Sequence, residues 1–502
     1  MGKYNTDLCD DTMTFSDCEL AILREAVKTS EENQSRKIAN TPEMTAMIKI
    51  LEGFLRKKRL ICYGGTAINN ILPKHAQFYD RDIEVPDYDF YSPHALDDAK
   101  ELADLFNEHG FDEIEAKAGV HFGTYKVYVD FIPIADITFL HPTIFKSISR
   151  EAIQIDGILY SPPNFLRMNM YLELSRPEGD VSRWEKIYKR LVLLNKFFPF
   201  HVDANCGNIE FQRPLEHHKD KSDDIYYKVR DVFINEEVVF FGGYAVRLYS
   251  RYMSKGKKEV VKKIPDFDVL AEDPERCANI LMERLRDKSF KKIYHKGIGE
   301  IIPERIEIRI GKDTLAFIYK PIACHSYNVI KLEDREIRVA TIDTMLSFYF
   351  AFYYSGEPYY TKDRILCMAK FLFDVEYKNR LEQKGILKRF SVNCYGKQVT
   401  LDSIRAEKTE KFNELKHKRG TREYDEWFLK YSFSNKENEP ERTKDKESYK
   451  YIKKGKKKHH KRTRKMRQYE PEEELPSVLL PPERNNRRGT RKANSTRGEY
   501  LF

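Results

Sequence analysis

Three aspartates and one Gly-Gly turn carry the chemistry this sequence offers. Asp87 and Asp89 stand two apart in VPDYDFYS, and Asp136 follows Asp89 by 47 residues in IPIADITF. Side chains two apart on a strand share a face, about 6.5 Å apart along it. Asp87 and Asp89 can therefore hold divalent metal together. An acid inside an apolar strand is costly to bury unless it is paired or metal-bound. Asp136 is thus the expected third carboxylate; the alternative is an edge-strand acid facing water. Gly64, Gly65 and Thr66 lie upstream in YGGTAIN, with Asp87 22 residues after Gly65. The glycines allow a sharp turn and close approach to a ligand. Thr66 adds a hydroxyl where a helix N-terminus favours phosphate. These are the parts of a nucleotidyl-transfer site. A hydroxyl attacks an α-phosphate in line, pyrophosphate leaves, and two Mg²⁺ or Mn²⁺ ions stabilise the attacking and leaving oxygens. On this reading Asp87, Asp89 and Asp136 are the catalytic, metal-holding acids. Gly64, Gly65 and Thr66 bind the β/γ-phosphates.

The flanking pattern says what must position these groups. Leu60 to Tyr63 is an apolar run of strand type, followed by the turn and a short apolar helix. Tyr125, Val127 and Val129 alternate with Lys126, Tyr128 and Asp130, which is again a strand pattern. Residues 1–58 read as a helical N-terminal segment lying on the next domain, with Thr41 as a cap and Pro42 in the first turn. Arg183, Lys186 and Arg190 share one face of a later helix. They suit either a triphosphate or a solvated basic surface.

The chain then repeats itself. VVFFGGYAVRLY echoes LICYGGTAINNI, IPDFDVLAEDP echoes VPDYDFYSPHA, and YKPIACHSY echoes FIPIADITF, with offsets of 178, 179 and 188 residues. Three motifs in one order indicate two tandem copies of one domain. In this alignment Thr66 becomes Tyr244 and Asp136 becomes Cys324, a poor ligand for a hard cation. The second copy keeps Asp266 and Asp268 but reads as catalytically silent. The expected division is a catalytic domain over 59–200, a non-catalytic copy over 225–400, a charged helical segment over 401–434 and a basic disordered tail over 435–502.

Charge and cysteines bound the rest. The net charge is +9, yet residues 441–502 alone carry 20 Lys+Arg against 9 Asp+Glu. The basicity therefore belongs to the tail, where Tyr451 to Arg467 holds ten Lys+Arg and no acid. Such a block binds phosphate backbones with little sequence preference, and it equally suits a localisation signal. The eight cysteines are scattered, with no C-x-x-C pair. That argues against zinc and against a disulfide framework, and for reduced thiols. No apolar run reaches membrane-span length.

Together YGGTAIN, PDYDFYS, IADITF and SRPEGDVSRWEKIYKRL resemble the poly(A) polymerase catalytic subunits of poxviruses and large cytoplasmic DNA viruses, over roughly residues 40–400. The resemblance implies an α/β (α+β) fold of two tandem polymerase-β-like nucleotidyltransferase domains, the second degenerate. It implies ATP as substrate and template-independent extension of mRNA 3′ ends. By matching motifs, the family's metal-binding acids fall on Asp87, Asp89 and Asp136. It also implies work in the host cytoplasm, viral factory or virion. A processivity subunit is the family's usual partner, and self-association as a homodimer could replace it. Within enzymes, a transferase for another NTP or a small-nucleotide product stays open. Outside them, a non-catalytic RNA-binding subunit does.

Overall fold

A computed structural model describes residues 8–9, 12–39, 41–79, 88–209, 211, 222–253, 266–299, 301–332, 334–379 and 382–432. Asp87 and the basic tail from 435 onward lie outside these.

The N-terminal helix α1 (Phe15–Ala39) is largely exposed, whereas α2 (Pro42–Lys58) joins the core of the first domain. The α2 start is set by Thr41, whose hydroxyl accepts from Met44 N–H at 3.2 Å, with Pro42 behind it. Its Met44, Met47, Leu51, Phe54 and Leu55 recur at helical spacing and are all buried.

The first sheet holds β1 (Ile61–Cys62), β2 (Tyr88–Ser92), β3 (Ile114–Ala118), β4 (Thr124–Val129), β5 (Ile132–Phe139), β6 (Ile153–Ile155) and β7 (Ile158–Tyr160). The helices between and after these strands are α3 (Gly64–Ile71), α4 (Ala95–Glu108), α5 (Pro142–Ser149), α6 (Pro163–Leu174) and α7 (Trp184–Phe197). The second sheet holds β8 (Val239–Phe240), β9 (Phe267–Leu270), β10 (Phe290–His295), β11 (Arg305–Ile310), β12 (Asp313–Tyr319), β13 (His325–Leu332) and β14 (Arg335–Ala340). Its helices are α8 (Ser222–Asn235), α9 (Gly243–Tyr249), α10 (Pro274–Leu285), α11 (Ile342–Tyr354) and α12 (Lys362–Asn379).

The two sheets have one topology. Strand order runs β3-β4-β5-β2-β1-β7-β6 in the first and β10-β11-β12-β9-β8-β14-β13 in the second. Every pairing agrees in direction. β2 runs antiparallel to β1 and parallel to β5, and β9 does the same with β8 and β12. The tandem repeat read from the sequence is thus a repeat of fold.

Aromatic side chains join the copies. Phe165 meets Tyr354 at 5.3 Å between ring centres, and Phe200 lies 4.9 Å from Phe373. At the edge of this seam Glu151 accepts from Tyr353 and Tyr354 hydroxyls at 2.7 and 3.1 Å. The charged segment after 400 is a strap between the sheets. It leaves the second sheet at β15 (Cys394–Tyr395), forms α13 (Leu401–Leu415) and α14 (Arg422–Phe428), and adds β16 (Lys430–Ser432) to the edge of β3. Lys100 to Asp425 at 2.6 Å and Tyr431 to Asp104 at 2.5 Å fasten it to α4.

The expectation of reduced thiols is corrected. Cys9–Cys18, Cys206–Cys367 and Cys324–Cys394 are disulfides, and Cys62 and Cys277 are buried free thiols. Scatter along the sequence concealed this, because the fold brings together residues 161 and 70 positions apart. On chain-entropy grounds each of these two long crosslinks is worth about 4–5 kcal/mol. Reduction with dithiothreitol should therefore lower the urea unfolding midpoint clearly. Non-reduced peptide mapping should recover both pairs, and an unchanged midpoint would contradict their presence.

Candidate active site

The site stands at the end of the central strands of the first sheet. β1 runs on into Tyr63, the N-cap of α3, whose N–H donates to the Asp89 carbonyl at 2.9 Å. The chain then enters α3 at Gly64, with φ +70°, a left-handed conformation that favours glycine. Space demands glycine there as well, since a Cβ would lie 2.7 Å from Asp89 Oδ2. The turn and the acid are thereby packed against one another. Thr66 sits in the first turn of α3 and is buried. No acid occupies that turn, so its N–H groups suit an anion.

Strand register aligns the acids. Asp89 on β2 and Asp136 on β5 are direct partners across the parallel pair. Lys126 on β4 is in turn the direct partner of Asp136. Neighbouring strands lie about 4.8 Å apart, so Lys126, Asp136 and Asp89 form one row across the sheet. The ammonium of Lys126 is 2.5 Å from Asp136 Oδ2. Asp89 and Asp136 are both half-buried, so each still opens to solvent. The chemistry of the donor set suits a divalent ion, since carboxylate oxygens are hard ligands. Asp136 already draws a cation, Lys126. Asp87, two residues before Asp89, lies outside the described residues, so the predicted D-x-D pair is seen only at Asp89.

Arg190, left open in the sequence between a triphosphate and a solvated surface, gathers with several residues that carried no sequence signal around the turn. Arg190 on α7 is buried and reaches the turn, for a Cβ on Gly65 would meet its guanidinium nitrogens at 2.9 and 3.0 Å. It donates to the Tyr79 hydroxyl at 2.5 Å and lies over the Phe78 ring at 5.0 Å. Tyr79 is held in turn by Asn69 on α3, whose Oδ1 accepts from Phe78 and Tyr79 N–H at 2.7 and 2.9 Å. The signal for Arg190 was its place on the basic face of α7; its two neighbours Arg183 and Lys186 stay exposed. α7 is fixed by Arg167 of α6, which is fully buried and donates to Asn195 Oδ1 at 2.8 Å and Asn164 Oδ1 at 2.7 Å. Burial draws Arg167 down to about 10. Beside the turn, Tyr63 stacks on Tyr91 at 3.9 Å and its hydroxyl bonds Thr138 at 2.9 Å.

The second sheet shows the same positions with other residues. Register pairs Asp268 on β9 with Phe317 on β12, and Phe317 with Glu307 on β11. The row Asp89–Asp136–Lys126 thus becomes Asp268–Phe317–Glu307. This corrects the alignment that set Cys324 against Asp136. Cys324 lies beyond β12, tied to Cys394, and Phe317 takes the place of the third acid. Tyr244 does stand where Thr66 stands, with its ring 4.6 Å from Phe240. Arg364 of α12 reaches Asp266 at 3.2 Å, so a guanidinium holds the first acid of that pair. Glu307 is held by Arg309, Thr314 and His295 at 2.8, 2.6 and 2.9 Å.

The fold is thus two like sheets, the first with Asp89 and Asp136 packed beside a Gly-Gly helix start. Residues 49–180 match the family model described as "Poly(A) polymerase catalytic subunit", the family that the motifs resemble. A protein of African swine fever virus (strain Badajoz 1971 Vero-adapted), provisionally named as such a subunit, is 32% identical over 173 residues, covering 33% of this chain and 36% of that protein. One of Acanthamoeba polyphaga mimivirus under the same provisional name is 29% identical over 223 residues, covering 43% of this chain and 37% of that protein. The chain thus spans little more than a third of the length of these relatives. The crystal structure of the Megavirus polyadenylate synthase shares the fold, with a TM-score of 0.71 at 20% identity over 88% of this chain and 90% of that one.

If Arg190 and Gly65 together hold phosphate, damage to either should act on nucleotide binding. Arg190→Met should raise the KM for ATP by about 10–100-fold, the worth of one or two charge-assisted hydrogen bonds, with a smaller change in kcat. Gly65→Ala should do the same by displacing Tyr79 and Arg190. Steady-state extension kinetics check both, and a loss confined to kcat would remove Arg190 from the phosphate site.

Proposed function

We propose that this chain is a template-independent poly(A) polymerase that adds AMP from ATP to mRNA 3′ ends and releases pyrophosphate, in the cytoplasm, viral factory or virion of an infected host. The observation that carries the reading is the row of Asp89 and Asp136 on neighbouring parallel strands, packed against the Gly64–Gly65 helix start. Asp87, Asp89 and Asp136 would hold two Mg²⁺ or Mn²⁺ ions. Bound there, the ions would lower the pKa of the attacking 3′-hydroxyl and offset charge on the leaving pyrophosphate.

The chain's own groups do the remaining work. The first-turn N–H groups of α3, Thr66 and Arg190 bind the β/γ-phosphates and so orient the α-phosphate for in-line attack. Lys126 pairs with Asp136 and holds it in line with Asp89. Tyr63, locked on Tyr91 and Thr138, gives the turn a rigid approach. The second sheet, with Phe317 in its row and Arg364 on Asp266, serves as a scaffold. RNA and ATP are the proposed ligands, and a processivity subunit or a second copy of the chain the proposed partner. Among the described residues no helix is long and apolar enough to cross a membrane.

The test is to incubate the chain with a short RNA, Mg²⁺ or Mn²⁺, and each NTP separately. Extension with ATP alone is expected. Extension with another NTP would move the reading to a different terminal transferase. No extension with any NTP would leave an RNA-binding subunit on a decayed fold.

A further inference from the structure

α7 has a second working face. Arg190 points to the phosphate turn, while Tyr188, Leu191, Val192 and Asn195 line a cleft on another side of the same helix. The opposite wall comes from α12 and the segment after it, with Phe373, Glu376, Arg389 and Phe390. The cleft measures about 670 Å³, within the range of small-ligand sites.

Three features of its lining are costly unless something uses them. The first is Phe390, which holds φ +53°, a conformation that bulky side chains rarely adopt. Its ring is 36% exposed and stands 5.9 Å from those of Tyr188 and Trp184. The second is Glu376. Arg389 donates to its Oε1 at 2.5 Å and to both oxygens of Asp343, so two carboxyls share one guanidinium. Glu376 Oε2 is buried with no hydrogen-bond partner. The third is the aromatic exposure of the rim, with Tyr188 40% and Tyr377 75% exposed.

We propose that this cleft binds one unstacked nucleobase, stacked on an aromatic ring of its rim with its polar edge on Glu376. A base has a π-face for Phe390, whose ring Tyr188 braces edge to face. It also has an edge of donors and acceptors that meets a carboxyl in either protonation state. Lys370 at the rim is exposed and can take the attached phosphate. The base could belong to the RNA strand or to a free nucleotide. The assignment rests on the reading of the chain as an enzyme of RNA and ATP, yet its test needs no catalysis.

Trp184 is the reporter, one of two tryptophans in the chain. In full-length protein carrying Trp427→Phe, Trp184 fluorescence is titrated with oligo(A) and, separately, with AMP. The titrations are repeated with Asp136→Asn added, which silences extension. A saturable change is expected in both backgrounds. Saturation by AMP as well as oligo(A) would assign the site to a free nucleotide, and by oligo(A) alone to the strand. Phe390→Gly fits the left-handed backbone while deleting the ring, so it separates binding from folding. It should weaken the fluorescence response and the calorimetric affinity at least tenfold with a native unfolding transition. Glu376→Gln should weaken both less. No response to either probe, or an affinity unchanged in Phe390→Gly and Tyr188→Ala, would overturn the proposal. Failure of extension with binding intact would instead count against the polymerase reading.

Discussion

Asp136→Asn should lower ATP-dependent RNA extension by about a thousandfold or more, while Asp268→Asn and Cys324→Ala leave it within about twofold. A thousandfold is about 4 kcal/mol of barrier, a scale suited to removing a charged ligand at the reacting phosphate. The contrast follows from register. Asp136 is the direct partner of Asp89 and faces Lys126, whereas the position across from Asp268 is Phe317. Loss of the Asp136 charge should cost little stability. Its side chain is 19% exposed and that of Lys126 35%, so solvent already screens the pair to roughly 1 kcal/mol or less. Activity and fold therefore separate in this variant, with denaturant titration beside the extension assay. Cys324→Ala should show the reverse, near-normal extension with a lower unfolding midpoint, because it opens the crosslink to Cys394. Equal loss of activity in Asp136→Asn and Asp268→Asn would mean that both sheets take part in the chemistry.

The first copy was legible because its signals are local. A strand, two glycines, a short helix and an acid on the next strand all lie within about thirty residues, and each has its own pattern. Duplication was legible from three echoes in order. The third echo misled, since YKPIACHSY matches FIPIADITF in letters but not in place. Its offset of 188 departs from 178 and 179, whereas Asp136 to Phe317 is an offset of 181. Shared Ile and Ala outweighed spacing, and a Phe in place of an acid left no motif to find. Lys126 could be placed on a strand by alternation, but its partner depends on how β4 lies against β5. Arg190 could be placed on a basic helix face, but its contact with Gly65 joins positions 125 residues apart. The cysteine pairs failed for the same reason. Periodicity gives the face a side chain takes, and only packing of distant elements gives what it meets there.

Arg389→Met should be the most damaging substitution away from the site, costing about 3–5 kcal/mol of stability. The guanidinium is 10% exposed and binds Asp343, 1% exposed, and Glu376, 17% exposed. It thereby ties the start of α11, the last turn of α12 and the chain leading to Phe390. Methionine fills similar volume, so the loss is electrostatic: two buried carboxyls face each other with no cation. The penalty should depend on pH, with a definite sign. Burial already pushes the Glu376 carboxyl up to about 7 against the pull of Arg389. A carboxyl raised in the folded state binds its proton more readily there than when unfolded. Its cost is absent below the unfolded value near 4.5 and complete only above the folded one. Without Arg389 the folded value rises further, so the cost keeps growing past pH 7, where in the unmodified chain it levels off. Urea midpoints of Arg389→Met and the unmodified chain should therefore differ more at pH 8 than at pH 5.5. A gap that narrowed at pH 8 would show that the guanidinium acts through packing and not through its charge.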